Sequence, residues 1–184
     1  CELKEFPVVG DSVVVARAKN AEKNAPYSLL KVLPRKSALV RPGPKDKSRR
    51  ELVLAANIDQ VVVVSSVAEP PFNYGFADRF LLAADLCHLP LVMVLNKTDL
   101  SPSIPERVLD FASLVDKLIC VSCKSGEGLE ELRKVLKGKA SVLSGKSGVG
   151  KSSLVNALVP EAELDVGNVR ELDGKGRHTT TSSS

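Results

Sequence analysis

Gly145-Lys146-Ser147-Gly148-Val149-Gly150-Lys151-Ser152 is the stretch on which the fold turns. It matches the phosphate-binding pattern GxxxxGK[ST], and its neighbourhood fits: the apolar run 141–143 precedes it as a strand, and a helix starts at Lys151. Leu154, Val155, Leu158 and Val159 give that helix a packing stripe. The glycines let backbone N–H groups point at a β-phosphate, Lys151 reaches the β- and γ-phosphates, and the Ser152 hydroxyl completes a magnesium shell. The bland alternative, a glycine-rich turn with a stray lysine, does not account for the strand before it and the helix behind it.

This loop leaves the base unspecified, since ATPases, kinases and GTPases all use it. Asn96-Lys97-Thr98-Asp99 supplies the missing information at the end of the expected strand 91–95, the carboxyl edge where open α/β sheets bind ligands. An Asp99 carboxylate accepts from guanine N1–H and N2–H2, a donor pair that adenine lacks, while Asn96 bonds to the other edge of the base. Alone, the tetrapeptide would read equally well as a charged helix entry with Asp as a cap. Ser122-Cys123-Lys124 ends the next strand and has the form of the short loop whose backbone N–H groups hold the guanine carbonyl. The nucleotide-binding set is therefore Asn96, Lys97, Thr98, Asp99, Ser122, Cys123, Lys124, Gly145, Lys146, Ser147, Gly148, Val149, Gly150, Lys151, Ser152 and Ser153.

The order of these motifs matters as much as their presence. In familiar small GTPases the phosphate loop comes first, whereas here Asn96 precedes Gly145 by about fifty positions and no GxxxxGK[ST] lies upstream. One site results only if the fold is circularly permuted, which a domain tolerates when cuts fall in surface loops and its termini lie close together.

Outward from the site, residues 58–159 alternate apolar strands and helices: strands at 61–65, 91–95, 119–122 and 141–143, and helices around Phe76, Phe80, Ala84 and Cys87, from Pro105 through Leu118, from Gly128 to Leu136, and from Lys151. This pattern predicts a parallel sheet covered on both faces. Residues 6–58 instead show short β-rich pieces (Val8-Val9-Gly10-Asp11, 13–16, 28–33, 38–40) between turn residues, suggesting a small barrel or sandwich. The boundary is expected near Arg50, giving units 1–50 and 51–184, and the tail 161–184 reads as a loop.

With 43% hydrophobic and 26% charged residues the chain is an ordinary globular one, neither disordered nor fibrous. The apolar stretch 89–95 is far short of a membrane span, and no signal-peptide pattern opens the chain, so a cytoplasmic protein without a membrane partner is expected. Cys1, Cys87, Cys120 and Cys123 are too few and irregular for a disulfide framework. Cys120-x-x-Cys123 lacks the second pair that would close a zinc site. Net charge is +4, but 31–51 carries eight Lys/Arg against two acidic residues. Lys31, Arg35, Lys36, Arg41, Lys45, Lys47, Arg49 and Arg50 are candidate phosphate contacts to RNA, although a merely solvated loop has the same composition. Scarce aromatics favour backbone and shape recognition.

The chain resembles the RsgA (YjeQ) family of circularly permuted GTPases that depend on the small ribosomal subunit. The resemblance rests on Val9-Gly10-Asp11, Leu33-Pro34-Arg35-Lys36-Ser37, Ala56-Asn57-Ile58-Asp59-Gln60, Asp78-Arg79-Phe80-Leu81, Asn96 through Leu100, Gly145 through Ser153, and Gly176-Arg177-His178-Thr179-Thr180-Thr181. It implies an OB-fold β-barrel followed by a permuted α/β P-loop GTPase domain, acting with Mg2+ and GTP/GDP in late maturation of the small subunit and contacting its rRNA, as a monomer. It further implies a switch threonine on magnesium among Thr179, Thr180 and Thr181, with Thr180 the choice, beside Ser152. His178 is the candidate for orienting the attacking water, and Lys151 the phosphate-contacting cation. The DxPG segment and the zinc-binding domain that the family carries after the threonines are not in this sequence, so a piece of a longer protein is expected, with Zn2+ only in the part beyond it. Two rival functions remain at this level: an RNA-binding module that uses guanine nucleotide as a sensory ligand without turnover, and an ATP-dependent kinase.

Overall fold

The computed structural model describes residues 6–17, 27–41, 52–159 and 161. Its centre is a four-stranded, all-parallel sheet built from β5 (Gln60–Ser66), β6 (Leu91–Asn96), β7 (Lys117–Cys120) and β8 (Ser141–Ser144), in the order β7-β6-β5-β8. Strands β5 and β6 are buried along their whole length because both sheet faces are covered, so their runs of Val and Leu need no polar alternation. Successive side chains point to opposite faces. Val62, Val64, Val92, Val94 and Ile119 pack on Leu129 and Leu132 of α3 (Leu129–Leu136) and Leu154 of α4 (Lys151–Leu158). Val61, Val63 and Leu91 pack on Ala84 of α1 (Tyr74–Leu86), and Met93 and Leu95 on Ala77 of α1 and on Val108 and Phe111 of α2 (Glu106–Ala112).

Chain order and sheet order differ in an informative way. From β5 the chain steps outward through α1 to β6 and through α2 to β7; α3 then carries it back over the sheet to β8 on the far side of β5. The strand that leads into the phosphate loop is thus the last in sequence yet pairs with the first, with Val61 opposite Val142 and Val63 opposite Ser144. This is the circularly permuted arrangement. At the start of β5, buried Gln60 donates to Ser141 Oγ (2.9 Å) and Val135 O (3.2 Å) and accepts from Lys139 Nζ (3.2 Å), fastening the α3–β8 return.

Before this sheet, β1 (Val13–Arg17) pairs antiparallel with β2 (Tyr27–Val32), and β3 (Ala38–Arg41) with β4 (Leu52–Ala56). These are the antiparallel strands expected ahead of the α/β unit, and among the described residues they form two two-stranded sheets. The boundary expected near Arg50 lies outside the described residues; on either side of it, Leu39 of β3 and Ala55 of β4 pack with Ile58, Val61 and Ala84.

Three local expectations need correction. Val8-Val9-Gly10-Asp11 is a turn, not a strand: the Asp11 carboxylate accepts from Val8 N (2.9 Å), and Gly10 sits at φ +89°. The helix beginning after Pro105 stops at Ala112 rather than reaching Leu118. Lys117 and Leu118 are instead held in the ladder opposite Val92 and Met93, so β7 begins two residues earlier than periodicity suggests and ends at Cys120. Leu118 satisfies either pattern by hydrophobicity alone, and tertiary pairing decides.

Candidate functional site: a cleft at the carboxyl edge of the sheet

The ends of β6, β7 and β8 all open on one edge, and an open cleft of about 370 Å³ lies there, lined by Asn96, Lys97, Asp99, Cys123, Lys124 and Ser153. Segments from three separate parts of the sequence meet in it. Asn96 is 2% exposed, and its Nδ2 donates to Val149 O at 2.9 Å, joining the end of β6 directly to the loop after β8. Gly150 permits this approach. It sits at φ +92°, and a Cβ there would collide with Asn96 Nδ2, so both the backbone angle and the bridge require glycine. Gly145 is likewise pressed against the carbonyl of Val64 at the centre of the sheet.

Residues 97–99 are shaped by the chain that follows β6. Lys97 takes the left-handed conformation (φ +63°), which turns the chain sharply into a 3-10 turn over Thr98–Leu100. Thr98 Oγ1 donates to Val121 O at 3.1 Å, fixing that turn against the loop after β7. Ser122, fully buried, donates from Oγ to Asp99 Oδ1 at 2.7 Å and accepts at Oγ from Ser125 N at 3.2 Å. The carboxylate is thereby held at the cleft mouth while remaining exposed to an incoming ligand. Lys97 Nζ donates to Glu69 O, and Ser66 Oγ donates to Pro70 O at 2.6 Å; Pro70 in turn lies beside Gly148, so the 69–70 turn touches both Lys97 and the phosphate loop. Sequence reasoning gave Ser122 only a backbone role and missed Glu69 and Pro70. A short Glu-Pro-Pro turn carries no motif, and its proximity is visible only in three dimensions.

The loop 145–150 leads into α4, whose first-turn N–H groups have no partner within the helix and point outward, as at any helix start. Lys151 Nζ folds over the loop and donates to Lys146 O at 2.7 Å and to Gly145 O. Ser152 is buried in the first turn of α4, and Ser153 reaches the cleft. Lys146, Ser147 and Gly148 form the exposed rim of the loop, and Val149 is buried under it. Among the described residues no group of three or more His, Cys, Asp or Glu side chains could hold a metal alone. A single hydroxyl beside a phosphate cradle is nonetheless the donor set that suits Mg2+, which binds through few protein groups, phosphate oxygens and water. Ser152 fits that role.

Two cysteine thiols adjoin the site. Burial, with Glu127 and then Glu131 adding to it, pushes the Cys120 thiol up; partly buried at the end of β7, it packs against the core. Burial also raises Cys123, which lines the cleft, 3.5 Å from Asn96 Oδ1.

The basic positions divide. Lys31 and Lys36 are exposed and Arg41 is partly buried at the end of β3. Arg35 is engaged in a two-pronged pair with Asp11, Nε to Oδ1 at 2.7 Å and an Nη to Oδ2 at 2.8 Å, which pins the 8–11 turn to the 33–37 loop. Lys45, Lys47, Arg49, Arg50, His178, Thr179, Thr180 and Thr181 lie outside the described residues. No helix among the described residues is long and apolar enough to cross a membrane.

Similarity to known proteins extends along most of the chain. The family model described as RsgA GTPase matches residues 32–184. The small ribosomal subunit biogenesis GTPase RsgA of Shewanella oneidensis is 44% identical over 183 residues, covering 96% of this chain and 51% of the relative. The protein of the same name from Chlorobaculum parvum is 42% identical, covering 96% of this chain and 58% of the relative. The chain thus spans about half the length of the curated relatives it matches. Among solved structures, YjeQ from Thermotoga maritima superposes with TM-score 0.62 at 35% identity, over 84% of this chain and 52% of that one. YloQ, described as a circularly permuted GTPase, superposes with TM-score 0.57 at 29% identity, over 87% and 53%.

Proposed function

Because the chain belongs to the RsgA GTPase family, we propose that its cleft binds GTP and GDP and that the protein hydrolyses GTP during maturation of the small ribosomal subunit. The observation that carries the reading is the Asn96–Val149 bridge: it ties the stretch suited to a purine directly to the stretch suited to its diphosphate, and Ser153 behind that loop lines the same cleft as Asn96 and Asp99. In this reading Asp99 accepts from guanine N1–H and N2–H2, Lys97 flanks the base, and the backbone of 122–124 meets the guanine carbonyl. The N–H groups of 146–151 and the Lys151 ammonium surround the phosphates. Ser152 would hold Mg2+, with Thr180 its second ligand; when bound, the ion neutralises charge on the β- and γ-oxygens.

The protein's own contribution to phosphoryl transfer is positioning and charge, which the loop and Lys151 provide. His178, which lies outside the described residues, is the proposed group for orienting the attacking water. Slow hydrolysis by the free protein follows, with the small subunit completing the site; groups supplied in trans are worth about 10³- to 10⁵-fold in rate. The relatives named for small-subunit biogenesis support this partner. Exposed Lys31 and Lys36, with Arg41, Lys45, Lys47, Arg49 and Arg50, are proposed to meet rRNA phosphates; Arg35 would do so only by sharing its guanidinium with Asp11. The setting is cytoplasmic, the acting species a monomer, and any zinc belongs to sequence beyond this chain. Phosphate release by the whole protein, measured with and without purified small subunits, tests the reading. Strong stimulation is expected, whereas equal turnover with and without subunits, or none in either case, contradicts it.

A further inference from the structure

The Asn96 amide has one orientation that satisfies its surroundings. Val149 O can only accept, so the group 2.9 Å from it is the NH2, and Oδ1 faces the Cys123 Sγ 3.5 Å away. An amide oxygen cannot donate, so the thiol does. Burial raises the thiol above its ordinary value, outweighing the Asn96 contact, and Asp99 adds in the same direction; Cys123 therefore keeps its proton at neutral pH. Turning the amide by half a turn would set its oxygen against the carbonyl of Val149 and its NH2 against a proton-bearing sulfur, losing both contacts. The sequence pair Cys120-x-x-Cys123 thus splits into a residue packed against the core and a residue that touches the cleft.

Resting on the guanine-nucleotide reading of this cleft, we propose that Cys123 is a positioning residue for base recognition: its S–H fixes the Asn96 amide, so that one side chain braces the phosphate loop and faces the purine in a single orientation. The effect reaches the nucleotide through Asn96, not through sulfur contact with the reacting atoms. It also divides two replacements, because serine keeps a donor in a smaller side chain and valine keeps only bulk.

The test is titration of the full chain with a fluorescent GDP analogue, followed by displacement with GDP and ADP, for the unmodified protein and for Cys123→Ala, Cys123→Val and Cys123→Ser. Loss of one weak S–H hydrogen bond to a buried group predicts GDP binding about two- to five-fold weaker in the alanine and valine variants, with a GDP-over-ADP preference reduced by a similar factor. The serine variant should retain both. The preference is a ratio read on one sample, so partial unfolding of a variant does not move it. Unchanged affinity and preference in the alanine variant overturn the proposal, as does a valine variant that matches serine, since packing alone would then suffice. Failure of the unmodified protein to bind GDP is a different result: it overturns the reading of the cleft, and this inference with it.

Discussion

Asp99 is held by Ser122 at 2.7 Å, yet its carboxylate stays at the open mouth of the cleft. In the proposed reading this carboxylate accepts from the paired N–H donors of guanine and is left unsatisfied by adenine, so that selectivity would come from the cost of an unmade bond more than from the worth of a made one. Asp99→Asn retains shape and removes charge. The expected outcome is GTP binding weakened about 10- to 100-fold, the worth of hydrogen bonds to a charged group, with ATP binding little changed. Competition between the two nucleotides against one fluorescent ligand measures this. Asn96 behaves differently, because its amide is spent on Val149 and Cys123 and it organises the cleft as much as it contacts a ligand. The tetrapeptide that contains both residues was legible in the sequence. The bridge from Asn96 to Val149 was not, because a spacing of fifty-three residues carries no local signal.

Among the elements, α3 and the 8–11 turn show how distant parts are fastened to the site. Helix α3 carries the chain from one edge of the sheet to the other, and its fully buried Leu132 sits among Val62, Val94 and Leu154, beneath the strand and helix that flank the phosphate loop. Leu132→Ala should cost about 2–5 kcal/mol, read as a lower midpoint in chemical denaturation. The 8–11 turn is tied to the 33–37 loop by Asp11 and Arg35. The Arg35 hydrogen bond holds the Asp11 carboxyl below its ordinary value despite burial, helped by the Val8 N–H and the Arg35 charge. A carboxyl depressed in the folded state stabilises above its unfolded pKa, and that contribution disappears as pH falls through the folded value. Asp11→Asn should therefore lower the denaturation midpoint at neutral pH, and its difference from the unmodified protein should shrink once pH falls below about 4. Strands β5, β6 and β8 were readable from their apolar runs alone. The end of α2 and the start of β7 were not, since Leu118 suits a helix stripe and a buried strand equally.

At the scale of the whole molecule, the chain enters the sheet beside its last strand, and the sheet order β7-β6-β5-β8 makes one edge out of motifs that the sequence presents in reverse of the familiar order. The permutation was deducible from motif order; which helices cover which face, and the contact of the 69–70 turn with Lys97 and Gly148, emerged only from packing. Antiparallel strands stand ahead of this sheet, and β3 and β4 share its core through Leu39 and Ala55. The most direct measurement is a crystal structure of the protein with Mg2+ and a non-hydrolysable GTP analogue. The account predicts guanine between Lys97 and the 122–124 loop, its N1–H and N2–H2 on Asp99, and the phosphates wrapped by 145–151. A nucleotide bound with its base away from Asp99, or phosphates seated outside the loop before α4, would contradict it.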